Sequence, residues 1–189
     1  MKRRILVSIC IVLLSISLAA QEKSQELFEK LKAIEGIEIT PLDRYHSQFK
    51  EAYQIMFTQP VDHNNPDGPK FTQRMFIGHA GFDRPMVMST SGYTAGRLGF
   101  AEPADLLKAN LIRVEHRYFG ESVPDPIVWK YLTVWQAATD HHMIFEAFKD
   151  FYKEKWVSTG VSKDGQTAIM YKAFYPNDMD VAIPYVAPL

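Results

Sequence analysis

Gly160, Ser162 and Gly165 stand in the stretch "TGVSKDGQT", residues 159 to 167, where a serine at this spacing could perform nucleophilic catalysis. A serine hydroxyl is suited to that work when a tight strand-turn-helix bend lifts it above a sheet, beside the N-terminus of the following helix. The flanks have that form: "KWVST" reads as a strand, "GVSKDG" as the turn and "GQTAIMYKAFY" as the helix. The chemistry would be acyl transfer. Oγ of Ser162 attacks a carbonyl, and backbone amides, that of Lys163 among them, stabilise the oxyanion. Glycines two before and two after the serine relieve crowding in such a bend. Gly160 fills the first place, but Asp164 holds the second and Gly165 comes one step late. Two alternatives attach to these residues. Ser162 could simply cap the helix, and Asp164 could be a first-turn acid that favours the helix dipole, although a carboxylate disfavours a developing oxyanion beside it.

Two further stretches bear on the same chemistry. In "STSGYTAG", Gly92 and Tyr93 offer backbone amides in a loop whose glycines permit close approach, so they are candidate oxyanion donors; an ordinary glycine-containing loop is the alternative. In "EHRYFGES", the charged residues Glu115, Arg117 and Glu121 cluster with His116 at the end of a strand. They read as an ion-pair network supporting the site, with Glu115 and Glu121 able to grip a substrate amine if they face the cleft. A proton acceptor is harder to find. His46, His63, His79, His116, His141 and His142 all precede Ser162, and none follows it. His141 is read as packing on its own helix and His63 as serving a turn. The adjacent pair His141 and His142 would project about 100° apart on a helix and cannot chelate as an i, i+4 pair would. No metal site and no cofactor are expected.

The elements that must position these residues follow from periodicity. Leu27, Phe28, Leu31 and Ile34 form one helical stripe that ends at Gly36. "AYQIMFTQPV" and "FTQRMFIG", separated by "DHNNPDGP", read as a hairpin. "MVMSTSG" is the first buried strand, "AGRLGFAEPADLLK" carries a short crossover helix, and "ANLIRVEHRYFG" begins as a strand covered on both faces. Val134, Ala138, His141, Phe145, Phe148 and Tyr152 mark a long helix, and "DVAIPYVAPL" marks a last strand. Strands alternating with helices in this order define an α/β class with a mostly parallel, doubly wound sheet.

Taken in order, "QPVDHNNP", "FTQRMFIG", "EHRYFGES", "WKYLTVWQAATD" and the serine turn resemble the prolyl-carboxypeptidase-like serine exopeptidases, and more narrowly the bacterial secreted tripeptidyl aminopeptidases. The resemblance covers roughly Gln59 to Leu189. It implies an α/β-hydrolase-like core with an inserted helical cap and a Ser-Asp-His triad that releases short peptides from free N-termini. Ser162 falls on the nucleophile and Gly92 to Tyr93 on the oxyanion loop, while Asp164 departs from the glycine of the family pattern. Because the fold places acid and base after the serine, residues 53–189 are expected to be the N-terminal part of a catalytic domain, preceded by a helix and lead-in over 21–52. By itself this part would have little activity. A catalytically dead peptide-binding or structural remnant, and an esterase on the same scaffold, are the alternatives.

Composition limits the setting. The first twenty residues, "MKRRILVSICIVLLSISLAA", join three basic residues to an apolar run shorter than a bilayer span and read as a cleaved secretory signal. The signal also contains the single cysteine, Cys10, so the exported chain forms no disulfide. Beyond residue 20 there are 18 basic and 22 acidic residues, a net charge of −4 that does not favour nucleic acid as a partner. A peptide substrate, a secreted or periplasmic location and no stable membrane association after cleavage complete the expectation. A hydrophobic content of 47% and an aromatic content of 13% support a folded domain.

Overall fold

The computed structural model describes residues 26–188; the signal reading of residues 1–20 lies outside them. Helix α1 (Glu26–Lys32) buries Leu27 and Leu31, the inward positions of its stripe, and the chain turns at Gly36, whose φ is +73°. There follow β1 (Ile37–Pro41), β2 (Glu51–Pro60), β3 (Lys70–His79), β4 (Met86–Thr90), α2 (Glu102–Leu106) and β5 (Asn110–Val114). A short 3-10 turn (Trp129–Tyr131) leads into α3 (Val134–Phe148), β6 (Trp156–Val161), α4 (Lys163–Phe174) and β7 (Val181–Tyr185).

The strands form one seven-stranded sheet in the order β1-β2-β3-β5-β4-β6-β7. The first three pairings, through β3 and β5, are antiparallel, and those of β5, β4, β6 and β7 are parallel. The sheet is therefore mixed. Its parallel half is the part in which strands alternate with helices. The expected hairpin is β2 and β3, paired from Glu51 opposite His79 to Pro60 opposite Lys70.

Side-chain alternation divides the core in two. Met86 and Met88 of β4 join Ile112 and Val114 of β5, with Leu27, Ile144, Phe148 and Tyr171, so α1, α3 and α4 cover that face. Val87 and Leu111 point the other way and join Ala104 of α2, Phe49 and Leu98.

Several details differ from the sequence reading. The serine turn is shorter, because Gly160 and Val161 continue the parallel ladder opposite Pro184 and Tyr185, and the helix already begins at Lys163. β5 ends at Val114, and "EHRYFGES" folds as a turn in which Tyr118 and Gly120 take positive φ. α3 ends at Phe148, although Tyr152 remains buried in the following turn. Val134, the first member of the predicted stripe, is exposed because it sits in the first turn of α3, where the chain enters from the surface.

Candidate active site

β4 and β6 are neighbours, yet their outgoing connections diverge: β4 leads through α2 to β5 on one side, and β6 leads through α4 to β7 on the other. Such a reversal opens a crevice at the carboxyl ends of the strands, the place where α/β sheets bind ligands. Two loops meet there, the one that follows β4 and the bend between β6 and α4.

Ser162 occupies that bend with φ +56° and ψ −124°, a strained conformation for a residue with a side chain. Its N–H donates to the Tyr185 carbonyl (2.9 Å), its carbonyl accepts from Gln166 N–H (3.0 Å), and the residue is exposed. The side chain makes no capping hydrogen bond, which removes the helix-cap alternative. Gly160 is needed because a Cβ there would lie 2.3 Å from the carbonyl carbon of Asp164. Gly165, the late glycine, faces the Gly160 carbonyl at 2.8 Å from where its Cβ would stand. Close packing between the helix's first turn and β6 thus falls on Gly165, and Asp164 turns its side chain elsewhere.

That side chain reaches the other loop. Asp164 Oδ1 accepts the Gly92 N–H at 2.6 Å, and Thr90 Oγ1 donates to the Asp164 carbonyl at 3.1 Å. Lys163 Nζ donates to the Gly92 carbonyl at 2.7 Å and lies 4.7 Å from the centre of the Tyr93 ring and 5.3 Å from that of Phe119. Gly92 and Tyr93 are therefore held against Lys163 and Asp164, the two residues that follow Ser162.

Glu115, Arg117 and Glu121 take other places. Glu115 is completely buried, and its carboxylate accepts from Arg74 Nη2 (2.6 Å), Ala95 N–H (2.8 Å), Glu121 N–H (2.9 Å) and Ser122 Oγ (3.0 Å). It closes its own turn and holds the loop that carries Gly92 and Tyr93, and with no exposed surface it cannot reach a substrate amine. Gly120 is required beside it, since a Cβ would meet Glu115 Oε2 at 2.4 Å. Arg117, also fully buried, spends all of its guanidinium hydrogens: two on Asp140 at 2.7 Å each, the others on the carbonyls of Val61, Tyr131 and Pro60. Glu121 alone is on the surface, with its carboxylate 3.7 Å from Arg74.

Each histidine ring has a hydrogen-bond partner other than Ser162. His63 does sit in the β2–β3 turn, but its ring bonds Asp140 at 2.7 Å. His79 meets the Tyr152 hydroxyl (2.8 Å), His116 the Arg117 carbonyl (2.8 Å), His141 the Ala137 carbonyl (2.7 Å) and His142 the Asp178 carboxylate (2.8 Å). His46 accepts from Gln48 N–H. Burial holds the His116 ring below its ordinary value of 6.5, and the nearby Lys163 charge adds to this. Among the described residues, no group of three or more His, Cys, Asp or Glu side chains is placed to hold a metal.

The bend is flanked by two clefts. One, of about 240 Å³, lies between α3 and α4 and is lined by His116, Phe119, Ala137, Lys163, Gln166 and Met170, among others. The other, of about 510 Å³, includes Arg113, Val161, Asp164 and Tyr185. Sequence reasoning did not find these walls: they combine residues from strands and helices far apart in the chain, and only the sheet order brings them together.

A serine at positive φ between a parallel strand and a helix, at the switch point of a mixed sheet, has the form of the α/β-hydrolase fold. The chain belongs to the PS-10 peptidase S37 family, whose pattern matches residues 20–189. It is 38% identical over 172 residues to the prolyl tri/tetrapeptidyl aminopeptidase of Streptomyces mobaraensis, covering 90% of this chain and 35% of that protein. It is also 26% identical over 180 residues to prolyl carboxy peptidase like protein 5 of Caenorhabditis elegans, covering 88% of this chain and 33% of that protein. The chain thus spans roughly a third of the length of these relatives. In structure it is similar to an acetyl xylan esterase from Paenibacillus sp. R4 (TM-score 0.55, 12% identity), over 87% of this chain and 58% of that one.

Proposed function

We propose that this chain carries the nucleophile of a serine exopeptidase that releases short peptides from free N-termini through an acyl-enzyme. Ser162 Oγ attacks the scissile carbonyl. The resulting oxyanion is stabilised by the Lys163 N–H, which as the first amide of α4 has no partner within the helix, and by an amide of the Gly92–Tyr93 loop. Collapse of this intermediate breaks the C–N bond and releases the rest of the peptide as an amine, which takes up the proton lost by Ser162; water then hydrolyses the ester and frees the short N-terminal peptide. The observation that carries this reading is the backbone of Ser162: strain of about 1–3 kcal/mol is held at an exposed serine that caps nothing, between the two elements a nucleophile elbow requires. The family supplies the peptide substrate class.

The proton acceptor in this reading is a histidine outside these 189 residues, since all six histidines present precede Ser162 in the sequence and are bonded elsewhere. The enzyme is exported, with a mature N-terminus near Gln21, which the intact mass of the exported protein checks. Activity is tested on the longest product of the gene with two chromogenic tripeptides, one with a free N-terminus and one acetylated. Hydrolysis of the free peptide alone, abolished by Ser162→Ala, is expected. Peptide binding without hydrolysis would make the chain a remnant, and hydrolysis of short acyl esters alone would make it an esterase.

A further inference from the structure

The peptide group on each side of Gly92 is held by the elbow. The Gly92 N–H is spent on Asp164 Oδ1 at 2.6 Å, and its carbonyl is held by Lys163 Nζ at 2.7 Å. The two residues that follow Ser162 therefore seize the donor and the acceptor of a single loop residue. They do so at short range, since a Cβ on Gly92 would lie 2.6 Å from Lys163 Cγ and 3.0 Å from the Lys163 carbonyl carbon. The Lys163 ammonium is further confined by the Tyr93 and Phe119 rings, an arrangement that favours a cation over aromatic faces. On its far side the loop is tied by His116 N–H to the Tyr93 carbonyl (3.1 Å) and by Ala95 N–H to Glu115 (2.8 Å). Among the described residues, the Tyr93 N–H meets no acceptor.

We propose that the side chains of Asp164 and Lys163 are positioning residues that clamp Gly92 to the elbow, so that the oxyanion is received by the amides of Tyr93 and Lys163 and not by that of Gly92. The clamp rests on the reading of Ser162 as nucleophile only for its purpose; the contact itself exists whatever Ser162 does. Its logic is preorganisation. An oxyanion donor works when it is fixed before charge develops, and a loop rich in glycine is costly to fix without such ties. Asp164, which breaks the glycine pattern of the bend, thereby acquires a task.

The test uses the full chain and three forms: wild type, Asp164→Ala and Asp164→Asn. Alanine keeps the Cβ already accommodated beside Gly160, and asparagine keeps an oxygen acceptor. Amide hydrogen exchange at Gly92 is read first. Loss of a hydrogen bond to a charged group accelerates exchange by about tenfold or more in the alanine form, and asparagine retains most of the protection. Unchanged exchange in Asp164→Ala overturns the clamp. The second readout is the rate at which a fluorophosphonate modifies Ser162 in the longest product of the gene. A fall of about tenfold for alanine, with recovery for asparagine and equal melting temperatures in all three forms, is expected. A rate for alanine equal to or above wild type overturns the positioning role, because the carboxylate would then be an obstruction. A wild type that never labels counts against Ser162 as nucleophile, and the exchange result still decides the clamp.

Discussion

At Ser162 the chain accepts a conformation that a free serine avoids, and the contacts around it explain how. Hydrogen bonds to Tyr185 and Gln166 hold both polar groups of the residue, and Gly160 leaves room for the first turn of α4. Ser162→Gly should therefore relieve strain and raise the melting temperature slightly, by the few degrees that about 1 kcal/mol corresponds to in a chain of this size. A fall in melting temperature would mean that the hydroxyl itself contributes to folding. The hydroxyl at this bend was legible in the sequence because glycine spacing, strand and helix are all local signals. The partner of Asp164 was not legible. Gly92 is 72 positions away, and only the adjacency of β4 and β6 brings it within reach. The sequence consequently left Asp164 between a first-turn acid and an unfavourable charge beside the oxyanion, whereas its carboxylate accepts a hydrogen bond from the facing loop.

At the scale of elements, the elbow depends on β6 running parallel to both β4 and β7 and on α4 starting immediately after Ser162. Gly160→Ala puts a methyl group 2.3 Å from the backbone of Asp164, where no side-chain rotation can relieve it. A loss of about 1–3 kcal/mol in urea denaturation, or more, is expected, together with loss of phosphonate labelling. Wild-type stability in that variant would show that α4 can move away from β6. The hairpin was readable because "DHNNPDGP" is dense in turn residues between two runs of β-forming ones. The antiparallel half of the sheet was less so. Whether β3 joins β5 or β4 depends on how long-range pairings compete, and alternation within one strand carries no record of that.

For the whole molecule, the buried polar groups matter more than the surface. Arg117 ties the end of the β2–β3 hairpin, the chain before α3 and α3 itself into one unit through Asp140. Burial raises the Asp140 carboxyl, but the Arg117 charge and hydrogen bonds, with those of His63, outweigh it and hold the group below the ordinary carboxylate range. Arg117→Met leaves that carboxylate buried and short of its main partner, so a loss of about 3–5 kcal/mol is expected by chemical denaturation. The cluster "EHRYFGES" signalled an ion-pair network, and Asp140 could not be identified as its anchor until α3 was placed against the hairpin. Acid should act on a second set of groups. Burial lowers His79 and His141 to about 4 from an ordinary 6.5. Between those values the unfolded chain binds protons that the folded chain refuses, so stability falls as pH drops from about 6.5 to about 4. Melting temperatures across that range check it, and His141→Leu should flatten the slope; an equal slope would place the titration elsewhere.

The proposed reaction rests on the Ser162 hydroxyl. The most direct measurement is mass-spectrometric mapping of a fluorophosphonate adduct on this chain and on the longest product of its gene. An adduct on Ser162 is expected in the form that includes a histidine after it, and near-background reaction in the 189 residues alone. A longer form that remains unmodified at Ser162, or that takes the adduct on a different hydroxyl, would rule out Ser162 as the nucleophile.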